Sequence, residues 1–283
     1  MNANGNKSFD WSEINTDMPF LASDNASGGG LAEMATTISL TGKVGATAAK
    51  MALYLTEPGN TAAIAISDIN QGHIGDCFLL SSIGELVRTE PTAISNMIVQ
   101  NANGTETVTL HVAANGALPF FGTTAFKTIT EVVTNNFQST SVNSGATQDV
   151  VGGVKEIWPQ VLEQAVAQLN GGYGSISNGG YPVVAMEELT GHAATYMSPG
   201  SVTLASLQAM VAAKDMIVLD TSASGNATYN FVGGHAYMFD SLVVQGGTTY
   251  VKADNPWGFN QPSLIPVSAL GKAFAEIDVG HPT

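Results

Sequence analysis

The single cysteine, Cys77, stands in Gln71-Gly72-His73-Ile74-Gly75-Asp76-Cys77-Phe78-Leu79-Leu80, where a glycine-containing stretch gives way to apolar residues at helical spacing. Leu79, Leu80, Ile83, Leu86 and Val87 recur on the period of a helix, so the spacing predicts one that begins at Cys77 and ends near Arg88 to Pro91. A helix N-terminus presents backbone N–H groups and the positive end of the macrodipole to its first side chain. That environment favours a thiolate, the form of sulfur that attacks a carbonyl. A buried structural thiol is the other fate open to a lone cysteine, although the flanking glycines and Asp76 speak against a core position.

A thiol nucleophile needs a base and a group that orients the base. Two predicted strands, His235 to Val244 and Thr248 to about Asn255, join around Gly246-Gly247 and end in a histidine and an asparagine. With a two-residue turn and an unbroken ladder, Asn255 opposes Met238, and alternation sends it to the face opposite His235. A three-residue loop, Gln245-Gly246-Gly247, or an equivalent bulge sets Asn255 opposite Tyr237 and brings it to the face of His235. The second geometry is therefore expected. His235 would take the thiol proton and Asn255 would fix its ring. Gln71, just before the nucleophile, could join the Cys77 N–H in stabilising a developing oxyanion.

Elsewhere the pattern is mixed. Thr107 to Val112 alternates as a strand after the Asn103-Gly104 turn signal. Ile157 to Leu169 carries an apolar stripe stopped by Asn170-Gly171-Gly172, Leu204 to Ala213 reads as a helix, and Met216 to Leu219 as a buried strand. Residues 1–60 are rich in Asn, Gly, Ser, Ala and Thr, with a possible helical pair over Leu31 to Thr56. They form an N-terminal extension, either a poorly ordered tail or a pro-segment over a cleft.

Composition narrows the function. With 9 basic against 23 acidic residues and a net charge of -14, the chain is not expected to bind nucleic acid. No apolar run reaches membrane-spanning length, and Met1 to Asp10 lacks an apolar leader core, which leaves cytoplasmic residence or export without a classical signal. His73, His111, His192 and His281 show no metal-ligand spacing, so no zinc site is expected.

Three separated segments resemble the protease core of the calpain family of cysteine peptidases. They are Gln71 to Leu80; Trp158 through Leu189-Thr190-Gly191, with Leu162-Glu163-Gln164-Ala165 and Leu169-Asn170-Gly171-Gly172-Tyr173; and Gly234-His235-Ala236-Tyr237 followed by Asp254-Asn255-Pro256-Trp257-Gly258. The resemblance covers roughly residues 60–283 and implies an α+β, papain-like architecture. A helical subdomain, residues 61–198, would bear Cys77 and a β-rich subdomain, residues 199–283, would bear His235 and Asn255, with the cleft between them.

The resemblance further implies endopeptidase activity on polypeptides through a thioester, with Cys77, His235 and Asn255 as the triad, Gln71 as oxyanion donor and Trp257 shielding the His/Asn contact. A catalytically silent module that binds peptides or a partner through the same cleft is the alternative, and a transferase using an amine in place of water is a third reading. Phe78 stands where the family usually has tryptophan, keeping an aromatic wall without its N–H. Asp68 matches an acidic position the family uses near the nucleophile, but Gly174 replaces the acid expected after Asn-Gly-x-Tyr. Calcium thus rests on Asp68 alone; the chemistry requires no cofactor, and no penta-EF-hand partner is expected.

Overall fold

The computed structural model of the chain describes residues 50–115, 125–144 and 150–282. Its elements in order are strand β1 (Lys50–Ala52), helices α1 (Cys77–Thr89) and α2 (Pro91–Met97), and strands β2 (Ile98–Gln100), β3 (Glu106–Ala113), β4 (Phe126–Val133), β5 (Val150–Val151) and β6 (Val154–Glu156). Helices α3 (Trp158–Leu169), α4 (Tyr173–Ile176) and α5 (Pro182–Thr190) follow, then β7 (Thr195–Met197), α6 (Leu204–Ala213), β8 (Met216–Thr221), β9 (Ala236–Gln245), β10 (Thr248–Asp254), β11 (Ile265–Pro266) and β12 (Phe274–Gly280). The fold is α+β, as expected. Helices dominate the first part of the chain, and a six-stranded sheet, β11-β10-β9-β8-β12-β7, is built largely from the last part.

Helix α1 lies at the centre. The sequence pattern marks one apolar stripe, yet every residue from Cys77 to Val87 is buried, because neighbours close on the helix from several sides. Its polar and small positions make that possible. Ser81 Oγ donates to Ala236 O at 3.1 Å, and Ser82 Oγ turns back onto Phe78 O at 2.8 Å. Gly84 leaves room for Met238, whose Sδ would lie 2.1 Å from an added Cβ. Burying each of Leu79, Leu80, Ile83 and Leu86 completely contributes about 1.5–3 kcal/mol.

The continuous apolar run of β8 has the same explanation. Met216 and Val218 join the core around α1, α3 and α5, while Ile217 and Leu219 join a second core with Leu207 of α6 and Leu270. A strand buried on both faces has no polar phase to display.

The β9–β10 hairpin departs from the expected loop. Gln245 pairs with Thr248, so the turn contains only Gly246 and Gly247, with φ of 57° and 79°, a geometry that favours glycine at both positions. The register then shifts between Lys252 and Ala253: Lys252 pairs with Ser241, but Ala253 pairs with Phe239, leaving Asp240 as the extra residue. This bulge does what a third loop residue would have done. Continuing the register by one position sets Asn255 across from Tyr237.

The expected N-terminal extension, residues 1–60, falls only partly within the described structure. Residues 1–49, including most of the expected helical pair, lie outside the described residues. From residue 50 the chain forms β1, parallel to β6, and Leu53 is buried with its carbonyl accepting from Trp158 N at 3.1 Å. The segment 50–55 therefore belongs to the folded body, held by backbone pairing that its composition does not announce.

Candidate active site

The loop before α1 is fastened at three points. Gln71 N donates to Pro256 O at 2.8 Å, His73 N to Thr140 O at 2.9 Å, and Gly75 N to Ser177 O at 3.0 Å. A Cβ on Gly72 would lie 2.1 Å from Ser141 O, so this approach of two backbones requires glycine. Gln71 is 6% exposed, and its Nε2 donates to Ile74 O at 2.8 Å, which fixes the amide beside the start of α1. The Asp76 carbonyl accepts from Leu79 N and Leu80 N at 2.9 and 3.1 Å, making Cys77 the first residue of the helix.

Behind Cys77 lies a buried acidic cluster that the sequence reading does not single out. Glu163 accepts from Val142 N at 2.7 Å and from Tyr173 Oη at 3.1 Å. It also shares a hydrogen bond with Asp76, and burial pushes Glu163 up to about 7. Two buried carboxyls in contact retain a proton between them more readily than two exposed ones.

His235 is held by its backbone before its ring is considered. His235 N donates to Thr221 Oγ1 at 3.0 Å, and Thr221 N donates back to His235 O at 3.0 Å. The buried imidazole sets Nε2 2.9 Å from Asn255 Oδ1. Asn255 Oδ1 also accepts from Trp257 N at 3.0 Å, while Asn255 Nδ2 donates to Asn260 O at 3.2 Å. Those two contacts orient the amide independently of the histidine. Nε2 is then the nitrogen that donates, and Nδ1 is the acceptor of the neutral ring. Tyr237 meets the imidazole edge-on at 4.8 Å, and the Trp257 ring lies 4.6 Å from it.

The structure thus brings together His235, Asn255 and Trp257, and joins Gln71 to the same turn through Pro256. Cys77 opens α1 one helical turn before Ser81, whose Oγ donates to the carbonyl of Ala236, the residue that follows His235. Phe78 is not a wall open to solvent: it is 2% exposed, with its ring against the Gly180 backbone.

His73 is exposed on its loop, and His281 Nδ1 lies 2.6 Å from Asp215 Oδ1. Burial and the neighbouring His192 hold His111 below the usual imidazole range. Among the described residues, Glu57, Asp68 and Glu156 bring ligand oxygens within 4.8 Å of one another and could hold a metal ion. Asp68 is already engaged, accepting from Ala65 N at 2.6 Å and Trp158 Nε1 at 3.1 Å, and burial pushes it up to about 6. Gly174 offers no side-chain ligand.

Sequence reasoning also missed Arg88. Near the end of α1 it binds Asp240 Oδ1 at 2.9 Å and Asp254 Oδ2 at 3.0 Å, so it grips both the bulge and the residue preceding Asn255. The available signal was a lone arginine closing the helix, together with an acid on each strand of the hairpin.

A thiol at the head of a central helix, set against a sheet that carries a hydrogen-bonded histidine–asparagine pair, is the architecture of a cysteine-peptidase core. The model for the calpain family cysteine protease matches residues 56–262, a span that contains Gln71, Cys77, His235, Asn255 and Trp257. The chain belongs to that family.

Proposed function

We propose that this domain is a cysteine endopeptidase that hydrolyses peptide bonds of a polypeptide through a thioester on Cys77. The observation that carries the reading is the His235–Asn255 pair, whose amide is oriented by Trp257 N and Asn260 O so that Nε2 donates and Nδ1 accepts. Nδ1 takes the proton of the Cys77 thiol, and the thiolate attacks the scissile carbonyl. The Cys77 N–H and Gln71 Nε2 receive the developing oxyanion. The imidazolium returns its proton to the leaving amine, the C–N bond breaks, and a water activated by the same ring releases the acid from sulfur.

No step uses a cofactor. Burial of Cys77 and His235 excludes bulk water and strengthens the charge interactions between them. The test compares wild type with Cys77→Ala and His235→Ala on casein and with a thiol-directed epoxide. Cleavage and labelling are expected for wild type alone, with cleavage lost in both variants. Casein binding without cleavage, together with no labelling, would make the domain a peptide-binding module instead.

A further inference from the structure

Two residues beyond Trp257, which lies against His235, the fold leaves an aromatic side chain largely exposed. Phe259 is 64% exposed, and its ring centroid lies 5.7 Å from that of Trp257 with 31° between the planes. The backbone beneath it is firmly tied. Asn255 N donates to Gln261 Oε1 at 2.8 Å, and Asn230 Nδ2 donates to both Asn260 Oδ1 and Gln261 O at 3.1 Å. Gly258 N closes the turn on Asn255 O at 3.0 Å with φ of 77°, and a Cβ there would lie 2.0 Å from Asn70 Oδ1. The exposed Phe259 ring and the partly exposed Trp257 ring therefore form one continuous aromatic surface that begins at the imidazole, and contiguous apolar surface beside a reacting group is a place for substrate to bind.

The chemistry says what. The proton taken by His235 must be returned to the departing amine, so the part of the substrate that follows the scissile bond leaves across the imidazole. Trp257 covers that ring at 4.6 Å and Phe259 continues the aromatic surface outward from Trp257. We propose that Phe259 and Trp257 form a subsite for an apolar side chain on the carboxyl side of the cleaved bond. The preferred substrates are polypeptides carrying an aromatic or branched aliphatic residue within the first two positions after that bond. This rests on the peptidase reading above. Phe259 acts in specificity, through contact with the substrate, and takes no part in proton transfer.

Internally quenched peptides with Leu, Phe, Ala or Asp at the first two positions after the cleaved bond test it. Wild type is expected to favour Leu or Phe over Ala by about 10-fold in kcat/KM, the usual discrimination of a hydrophobic pocket. In Phe259→Ser that ratio falls toward one, with the change in KM, and Phe259→Leu restores part of it. Val244→Ser, which removes another exposed apolar side chain at the far end of the hairpin, keeps the wild-type ratio. Wild-type cleavage with the same ratio in Phe259→Ser would overturn the subsite alone. Failure of wild type to cleave any of these peptides or casein would overturn the peptidase reading and the subsite with it.

Discussion

Replacing Arg88 with methionine should weaken both the fold and the active centre, and the two losses can be estimated separately. The guanidinium is 22% exposed and contacts three carboxyls: Glu85 Oε1 at 3.3 Å, Asp240 Oδ1 at 2.9 Å and Asp254 Oδ2 at 3.0 Å. Glu85 carries little of the balancing charge at neutral pH, since burial, opposed by Arg88, pushes it up to about 8. The energy therefore resides in the two aspartates. Each charge-assisted hydrogen bond contributes about 1.5–3 kcal/mol, and partial exposure of both partners, with Lys252 still 3.1 Å from Asp240, lowers the sum. A loss of about 3 kcal/mol follows, at the lower edge of what breaking a buried pair costs. For a domain of this size that is a fall of roughly 6–12 °C in Tm by calorimetry.

The second loss is kinetic. Arg88 ties the bulge residue and the residue before Asn255 to the helix that starts with Cys77, so its removal loosens the register on which the His235–Asn255 contact depends. At a temperature well below the lowered Tm, kcat should fall by about 10-fold or more, as small displacements of positioned groups do, with KM little changed. Arg88→Lys should be intermediate, because a point charge cannot hold two aspartates as a planar fork does. A Tm within 2 °C of wild type, or a normal kcat in a destabilised Arg88→Met, would refute the reasoning.

Four further outcomes follow from the same geometry. Glu85 and Glu188 are pushed up to about 8, and Glu163 and Glu187 to about 7, in each case chiefly by burial. The folded chain therefore binds more protons than the unfolded one between the usual carboxylate range and about pH 8. Stability should be greater near pH 5.5 and decline toward pH 8.5, with each fully linked proton contributing about 1.4 kcal/mol per pH unit; urea midpoints at the two values check the sign. Asn255→Ala removes the acceptor of both His235 Nε2 and Trp257 N, so kcat should drop about 10- to 100-fold while Cys77 remains titratable in an iodoacetamide pH profile. Deleting Asp240 removes the extra residue without moving either flank, so a folded protein that still pairs Phe239 with Ala253 is expected, less stable than wild type by about half the Arg88→Met loss; a variant unable to fold would contradict the register argument. Gly180→Ala forces a Cβ to within 2.5 Å of the Phe78 ring and should cost about 1–3 kcal/mol, read from the chemical denaturation midpoint.

How much of this was legible in the sequence depends on how local the physics is. The start of α1 at Cys77, the limits of α6 and the strand after it were readable because turn chemistry, helical period and apolar run length act within a few residues. Strand β1 was not, since Lys50–Ala52 becomes a strand only by pairing with Val154–Glu156, a hundred residues away. The acid pair Asp76 and Glu163 was hidden for the same reason: neither residue has a local pattern that foretells a shared, buried hydrogen bond.

The hairpin lies between these cases. Its bulge was written in the alternation: Tyr237 and Phe239 face the second core two residues apart, but the next side chain on that face is Leu242, three positions on. On the partner strand Val251 and Ala253 keep the regular interval, and pairing Val251 with Leu242 and Ala253 with Phe239 satisfies both strands only if one residue of β9 is left over. That residue is Asp240, a side chain that suits neither core and reaches Arg88 instead. The same slip in register sets Asn255 on the face of His235. The apolar pattern that fills the core and the polar residue that escapes it together fix the geometry on which the proposed chemistry depends, so the strongest evidence for the centre lies in the strand that positions the base.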